Sequence, residues 1–92
     1  MSRRMTEKEL EKVFKALANR RRIVILRFLK KQKKARVGEI AEEIKLSFKS
    51  TSRHLVVLLN AGLVDREQKS LEMHYSITTT LSETARRAIG LL

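Results

Sequence analysis

Cysteine and proline are both absent from this chain, and glycine is reduced to three residues. Without cysteine there is neither a disulfide framework nor a thiolate metal site. No apolar run approaches the roughly 18 residues that a membrane-crossing helix needs. The opening Met1-Ser2-Arg3-Arg4-Met5 is charged but leads into no apolar segment. No secretion signal is therefore expected, and the sequence predicts a soluble, cytoplasmic protein with no membrane partner. Enzyme signatures are missing as well: there are no paired carboxylates, no glycine-rich phosphate loop and no Ser/His/Asp arrangement. Ser52 and His54 lie close in sequence, but on one helix they diverge by about 200° and cannot act as nucleophile and base. The sequence predicts no enzyme and no cofactor.

Acidic residues are also scarce. Ten Asp and Glu stand against 21 Lys and Arg, a formal net charge of +11 and a pI near 10.8. Such an excess suits a polyanionic partner, nucleic acid or an anionic membrane surface. It is unevenly placed: residues 1–53 carry 17 basic and 6 acidic side chains, residues 54–92 carry 4 of each. At 92 residues one domain, 1–92, is expected. A core this small is often supplemented by dimerisation.

The stretch Leu46–Val64 organises what is present. Ser47 has the hydroxyl of a helix N-cap, and Gly62 can take the left-handed conformation that ends a helix. At 100° per residue, Phe48, Thr51, Ser52, Leu55, Leu58 and Leu59 fall on one side. Lys49, Ser50, Arg53, Val57 and Asn60 fall on the other, with His54 and Val56 on the flanks. A small, polar, cationic outer face can lie in a DNA major groove, where Arg reaches guanine and Ser bonds bases or phosphates. The same pattern also suits an ordinary surface helix. By the wheel Phe48 points inward, into the core.

Upstream, Thr6-Glu7-Lys8-Glu9 reads as a capping box, followed by an apolar stripe of Leu10, Val13, Phe14 and Leu17. Asn19 looks like the cap of a second, largely apolar helix over about 20–31, expected to be the most buried one. Lys30–Arg36 reads as a basic connector, either a solvated turn or a phosphate contact through Arg36. Val37, Ile40, Ala41 and Ile44 mark a short amphipathic helix. Two short helices this closely joined have the form of a helix-turn-helix. Downstream, the period falls from 3.6 to 2. Leu71, Met73, Tyr75 and Ile77 alternate with polar residues, with 63–68 as an antiparallel partner and Lys69-Ser70 as the hairpin tip. Thr80-Leu81-Ser82-Glu83 reads as a second capping box with its cap at Thr80, before a stripe of Leu81, Ala85, Ala88, Ile89 and Leu92.

The fold expected is mainly α, of the α+β class, in the order α-α-α-α-β-β-α: a winged helix-turn-helix. Lys15-Ala16-Leu17-Ala18-Asn19 with Arg22, Glu39-Ile40-Ala41-Glu42, Leu46-Ser47, Ser52-Arg53-His54-Leu55, Leu58 with Ala61-Gly62-Leu63-Val64, and Tyr75 together resemble the ArsR-type family of transcriptional regulators. The resemblance covers about residues 10–77. It implies a homodimer that binds double-stranded operator DNA and answers to a ligand, often a metal ion. This chain departs from the family at the metal positions. Arg36-Val37-Gly38 stands where thiolate-type members carry Cys-x-Cys, and the last helix has no His and only Glu83 as an acid. No metal site is expected, and the effector is left unassigned.

The residues expected to meet DNA are Arg36, Ser47, Lys49, Ser50, Ser52, Arg53, His54 and, at the wing tip, Lys69. For His54 a phosphate contact and a structural role are both open. Leu10 and Phe14 of the first helix, with Leu81, Ala85, Ala88, Ile89 and Leu92 of the last, are expected to form the dimer interface. The function expected is a sequence-specific regulator, a repressor, acting as a homodimer. The alternatives are a winged-helix protein-interaction module and a chromatin-like protein that coats DNA without sequence preference.

Overall fold

The computed structural model describes residues 4–92; the first three, part of the stretch read for a secretion signal, lie outside the described residues. Local caps set where each helix begins. Helix α1 (Glu7–Leu17) starts at Thr6, whose Oγ1 accepts from the Glu9 N–H at 3.2 Å and donates to Glu9 Oε1 at 3.1 Å. The exchange satisfies an N-terminal donor that no helical carbonyl can reach. Helix α2 (Arg20–Gln32) starts at Asn19, whose side chain accepts from the Arg22 N–H at 3.1 Å. The short helix α3 (Val37–Ile44) ends at Lys45 in the left-handed conformation (φ 56°), and Leu46 N–H returns to Ala41 O at 3.0 Å. That tight reversal delivers Ser47, the cap of α4 (Phe48–Asn60), whose Oγ accepts from the Ser50 N–H at 3.1 Å. Gly62 (φ 74°) ends the helix, where a side chain would be strained, and Leu63 N–H closes back on Leu58 O.

Strands β2 (Val64–Lys69) and β3 (Glu72–Ile77) pair antiparallel in the register Val64↔Ile77 to Lys69↔Glu72. The hairpin tip is therefore Ser70-Leu71, one residue beyond the expected Lys69-Ser70, with Ser70 at φ 58°. A third strand, β1 (Ala35–Arg36), lies within the expected basic connector and pairs with β3 through Ala35↔Tyr75 and Arg36↔His74. The sheet order is β1-β3-β2, so the observed element order is α-α-β-α-α-β-β-α. The last helix, α5 (Glu83–Gly90), is capped by Ser82 through the Ala85 N–H at 3.2 Å, not by Thr80. Thr80 is held in the preceding turn by Thr78 Oγ1. No helix among the described residues is long and apolar enough to cross a membrane.

The core gathers Ile25, Leu26 and Leu29 of α2, Ile40 of α3, Leu55 and Leu58 of α4, and Leu63, Val64 and Tyr75 of the wing. As expected, the largely apolar α2 is central. Two corrections follow from burial. Ala85 (2% exposed) and Ile89 (4%) are covered within this chain's own core and have almost no surface left to offer a dimer partner. Phe48, expected inside, is 62% exposed.

One buried group lacks a partner. Thr51 is fully buried in α4, and its hydroxyl has no hydrogen bond among the described residues. An unsatisfied buried hydroxyl is destabilising, whereas a methyl of the same shape is not. Thr51→Val is expected to raise stability by about 1 kcal/mol, a rise in Tm of about 4–8 °C for a domain of this size. Calorimetry of the two proteins checks this; a lower Tm would mean that the hydroxyl is satisfied.

Candidate nucleic-acid interface

The helix-turn-helix of α3 and α4 presents the outer face of α4 to solvent. Thr51, Leu55 and Leu58 anchor the helix from below, and this fixes which residues stand above. Phe48, Lys49, Ser52, Arg53 and Val56 line one continuous, shallow surface. Lys49 and Arg53 are exposed, while Ser50 and Ser52 are half-buried. Three of the expected DNA contacts, Lys49, Ser52 and Arg53, are thus brought together. Two apolar side chains accompany them: Phe48, expected inside, and Val56, expected on the flank. Ser47 is one residue away, with its Oγ engaged in capping.

Arg36 and Lys69 do not line this surface, and Arg36 lines a neighbouring depression that also takes in Phe48. Arg36 belongs to β1, where its guanidinium bonds Glu39 at 3.0 Å and Glu72 at 2.5 Å. Both carboxylates hold the arginine proton more firmly than usual, Glu72 the more strongly, and the bonds from Arg36 lower the Glu39 pKa in return. The arrangement ties the start of α3 to the wing and neutralises Arg36 locally. Lys69, at the end of β2, is exposed, lies 3.5 Å from Glu67 and sits beside Lys34. The neighbouring Lys69 lowers the Lys34 pKa from the ordinary lysine value.

His54 is half-buried and faces inward to the arginine cluster at the start of α2. Its Nδ1 lies 3.3 Å from Arg22 Nη1. Since a guanidinium only donates, Nδ1 must accept and the ring is neutral. Burial first, then the charges of Arg22 and Arg21, depress the His54 pKa. The same Arg22 donates through Nε to Ala16 O at 2.7 Å and through Nη2 to Lys15 O at 3.0 Å. In the sequence Arg22 stands out only as part of the family resemblance; its structural role comes from contacts with α1 and α4. The signal for it was three arginines in the first turn of α2 with no acid beside them, against the helix dipole.

A lowered folded pKa means that the unfolded chain takes up a proton first as the pH falls. The contribution of His54 is complete above its unfolded value of about 6.5 and is lost progressively below it. Urea midpoints are therefore expected to fall between pH 7.5 and 5. His54→Gln, which keeps an acceptor for Arg22, should show a flatter profile; an unchanged profile would assign the dependence to other groups.

The residues at the family's thiolate positions do not fit a metal. Arg36 is a cation engaged with two carboxylates, and Gly38 has no side chain. Among the described residues no three His, Asp or Glu side chains gather as a ligand set.

Residues 19–66 match the model of a family described as bacterial regulatory protein, arsR family. The chain is 34% identical over 68 residues to the transcriptional activator HlyU of Vibrio cholerae, a match covering 74% of this chain and 62% of HlyU. It thus spans less than two thirds of that relative. Among solved structures, it superposes with a TM-score of 0.78 and 29% identity on the homodimeric winged helix-turn-helix DNA-binding domain of a possible ArsR-family transcriptional regulator from Mycobacterium bovis, covering 99% of this chain and 85% of that one. The transcriptional repressor PagR of Bacillus anthracis gives a TM-score of 0.76 at 26% identity, with 91% of this chain and 92% of that chain covered.

Proposed function

The chain belongs to the arsR family of bacterial regulatory proteins, and from that membership we propose that residues 1–92 act as one DNA-binding domain, a homodimer that sets α4 of each protomer in the major groove of an operator and represses transcription. The observation that carries this reading is the outer face of α4, where Lys49 and Arg53 share one exposed surface. It lies in a chain whose net charge of +11 is concentrated before residue 54. Phosphates attract that charge without regard to sequence, and base edges then select the site. The work is recognition rather than catalysis, and it calls on no cofactor.

The dimer reading is supported by the homodimeric Mycobacterium bovis domain and by surface left uncovered here. Leu10 and Phe14 line an apolar depression on α1, and Leu10 and Leu81 line a mixed one, with Glu9, Ser82 and Glu83, between α1 and the start of α5. Ala88 and Leu92 remain half-exposed beyond them. A two-fold axis through this region would space the two α4 helices about one DNA turn, roughly 34 Å, apart. HlyU is an activator and PagR a repressor, so the sign is a matter for reporter transcription with and without the protein; repression is expected, because a dimer covering an operator blocks access to it.

Binding of duplex DNA is expected to weaken with salt, with a log–log slope of about −0.9 per phosphate neutralised. For an operator selected from genomic DNA, Arg53→Ala is expected to cost about 1–3 kcal/mol while leaving the fold intact. Fluorescence anisotropy against operator and random duplex measures both. Equal affinity for the two would favour a chromatin-like coating role, and no salt-dependent DNA binding at all would favour a protein-interaction module.

A further inference from the structure

Phe48 is the first residue of α4, directly after the Ser47 cap, and is 62% exposed. Its ring continues the surface formed by Lys49, Ser52, Arg53 and Val56. On the other side it meets the start of α3 and the wing tip, where Leu71 is 98% exposed. Phe48, Ser52 and Val56 follow one another at intervals of four along α4, and Lys49 and Arg53 form the adjacent row. A phenyl ring held in water at the leading end of a cationic helix gains nothing in the free protein. It gains when water is removed from it.

The occupant is decided by what surrounds the ring. Lys49 and Arg53 share its surface with no acidic partner among the described residues, while on the far side Arg36 holds Glu39 and Glu72 and Glu42 is a further acid. The side carried by Lys49 and Arg53 is the one that suits a polyanion. In a helix-turn-helix the N-terminal residues of the second helix reach the base edges, and the apolar group on those edges is the C5-methyl of thymine. We propose that Phe48 reads the methyl group of a thymine in each half-site, an inference that rests on the DNA-binding reading above. Five residues of helix separate Phe48 from Arg53, about 7.5 Å along the axis. The thymine is therefore expected about two base steps, at roughly 3.4 Å each, from the base that Arg53 contacts.

Deoxyuridine removes that methyl and leaves every hydrogen-bonding group in place. The experiment takes the selected operator, replaces each thymidine in turn by deoxyuridine, and measures wild-type, Phe48→Ala and Phe48→Leu proteins by anisotropy at one salt concentration. Wild-type binding is expected to fall about threefold to tenfold at one uracil position per half-site, the scale of burying one methyl group, and to be unchanged at the others. Phe48→Ala should bind the thymine operator more weakly and lose the difference between thymine and uracil at that position; Phe48→Leu should keep part of it. Since the ring is exposed, both variants should fold, which circular dichroism checks. A sequence-specific wild-type protein indifferent to uracil everywhere, or a Phe48→Ala protein that keeps the full discrimination, would overturn the assignment of Phe48 alone. A wild-type protein that does not prefer its operator to random duplex would overturn the DNA reading and this inference together.

Discussion

Replacing Arg22 by alanine is expected to destabilise the protein by about 2–3 kcal/mol, the scale of removing a charged donor from several acceptors at once. The last four carbonyls of α1 show why. Phe14 O accepts from Ala18 N–H and Leu17 O from Asn19 N–H. Among the described residues Lys15 O and Ala16 O have no such backbone donors, and Arg22 supplies both bonds. The guanidinium also stands at the negative end of the α1 dipole, where a cation is favoured. Its third contact, to His54, ties α4 into the same joint. Arg22→Ala thus leaves two helix-end carbonyls without their donor and loosens α1 and α4 together. Arg22→Lys keeps the charge but not the planar fork and should recover only part of the loss. Chemical denaturation of the three proteins decides it. A midpoint unchanged in Arg22→Ala would mean that water satisfies those carbonyls equally well.

Arg22 also marks what the sequence made legible and what it did not. Features decided within one helical turn were readable. Thr6, Asn19 and Ser47 cap where their side-chain oxygens precede apolar periodicity, and Gly62 ends α4 at positive φ. The one displaced cap, Ser82 for Thr80, lies in a run where several hydroxyls compete and Thr78 has already claimed Thr80. Features decided by distant partners were not readable. Two-residue β1 exists because β3, some 40 residues later, offers an edge to pair with. A helical wheel assigns Phe48 to the inner side, yet it cannot know that α4 begins past the edge of the core, which it first meets at Thr51. Nor can a wheel say who covers a stripe: on α5 the chain's own core takes Ala85 and Ile89 and leaves Ala88 and Leu92 half-exposed. Of the candidate site, the outward placement of Lys49 and Arg53 was legible from periodicity. The pairing of Arg36 with Glu39 and Glu72 was not, because Glu72 reaches it only across the sheet.

Phe14→Glu is expected to convert the proposed homodimer to monomer and to take most of the operator affinity with it. The choice of residue follows from the burial pattern. Ala85 and Ile89 belong to the core, so a charge there would unfold the chain and report nothing about association. Phe14 is 53% exposed, in the apolar depression with Leu10 on α1, so the single chain tolerates a polar side chain there. In a two-fold interface each residue is used twice. A well-buried aromatic anchor is worth about 2 kcal/mol or more when truncated, so two copies correspond to about 3–4 kcal/mol, a several-hundred-fold rise in the dimer dissociation constant. DNA binding follows, because a monomer engages one half-site and loses the effective concentration that the second provides. Light scattering at micromolar concentration should give twice 10.7 kDa for the wild type and the monomer mass for Phe14→Glu. Circular dichroism should be unchanged, and salt-dependent binding to a single half-site should be retained. A folded Phe14→Glu protein that stays dimeric would move the interface off α1, onto the Ala88 and Leu92 surface of α5.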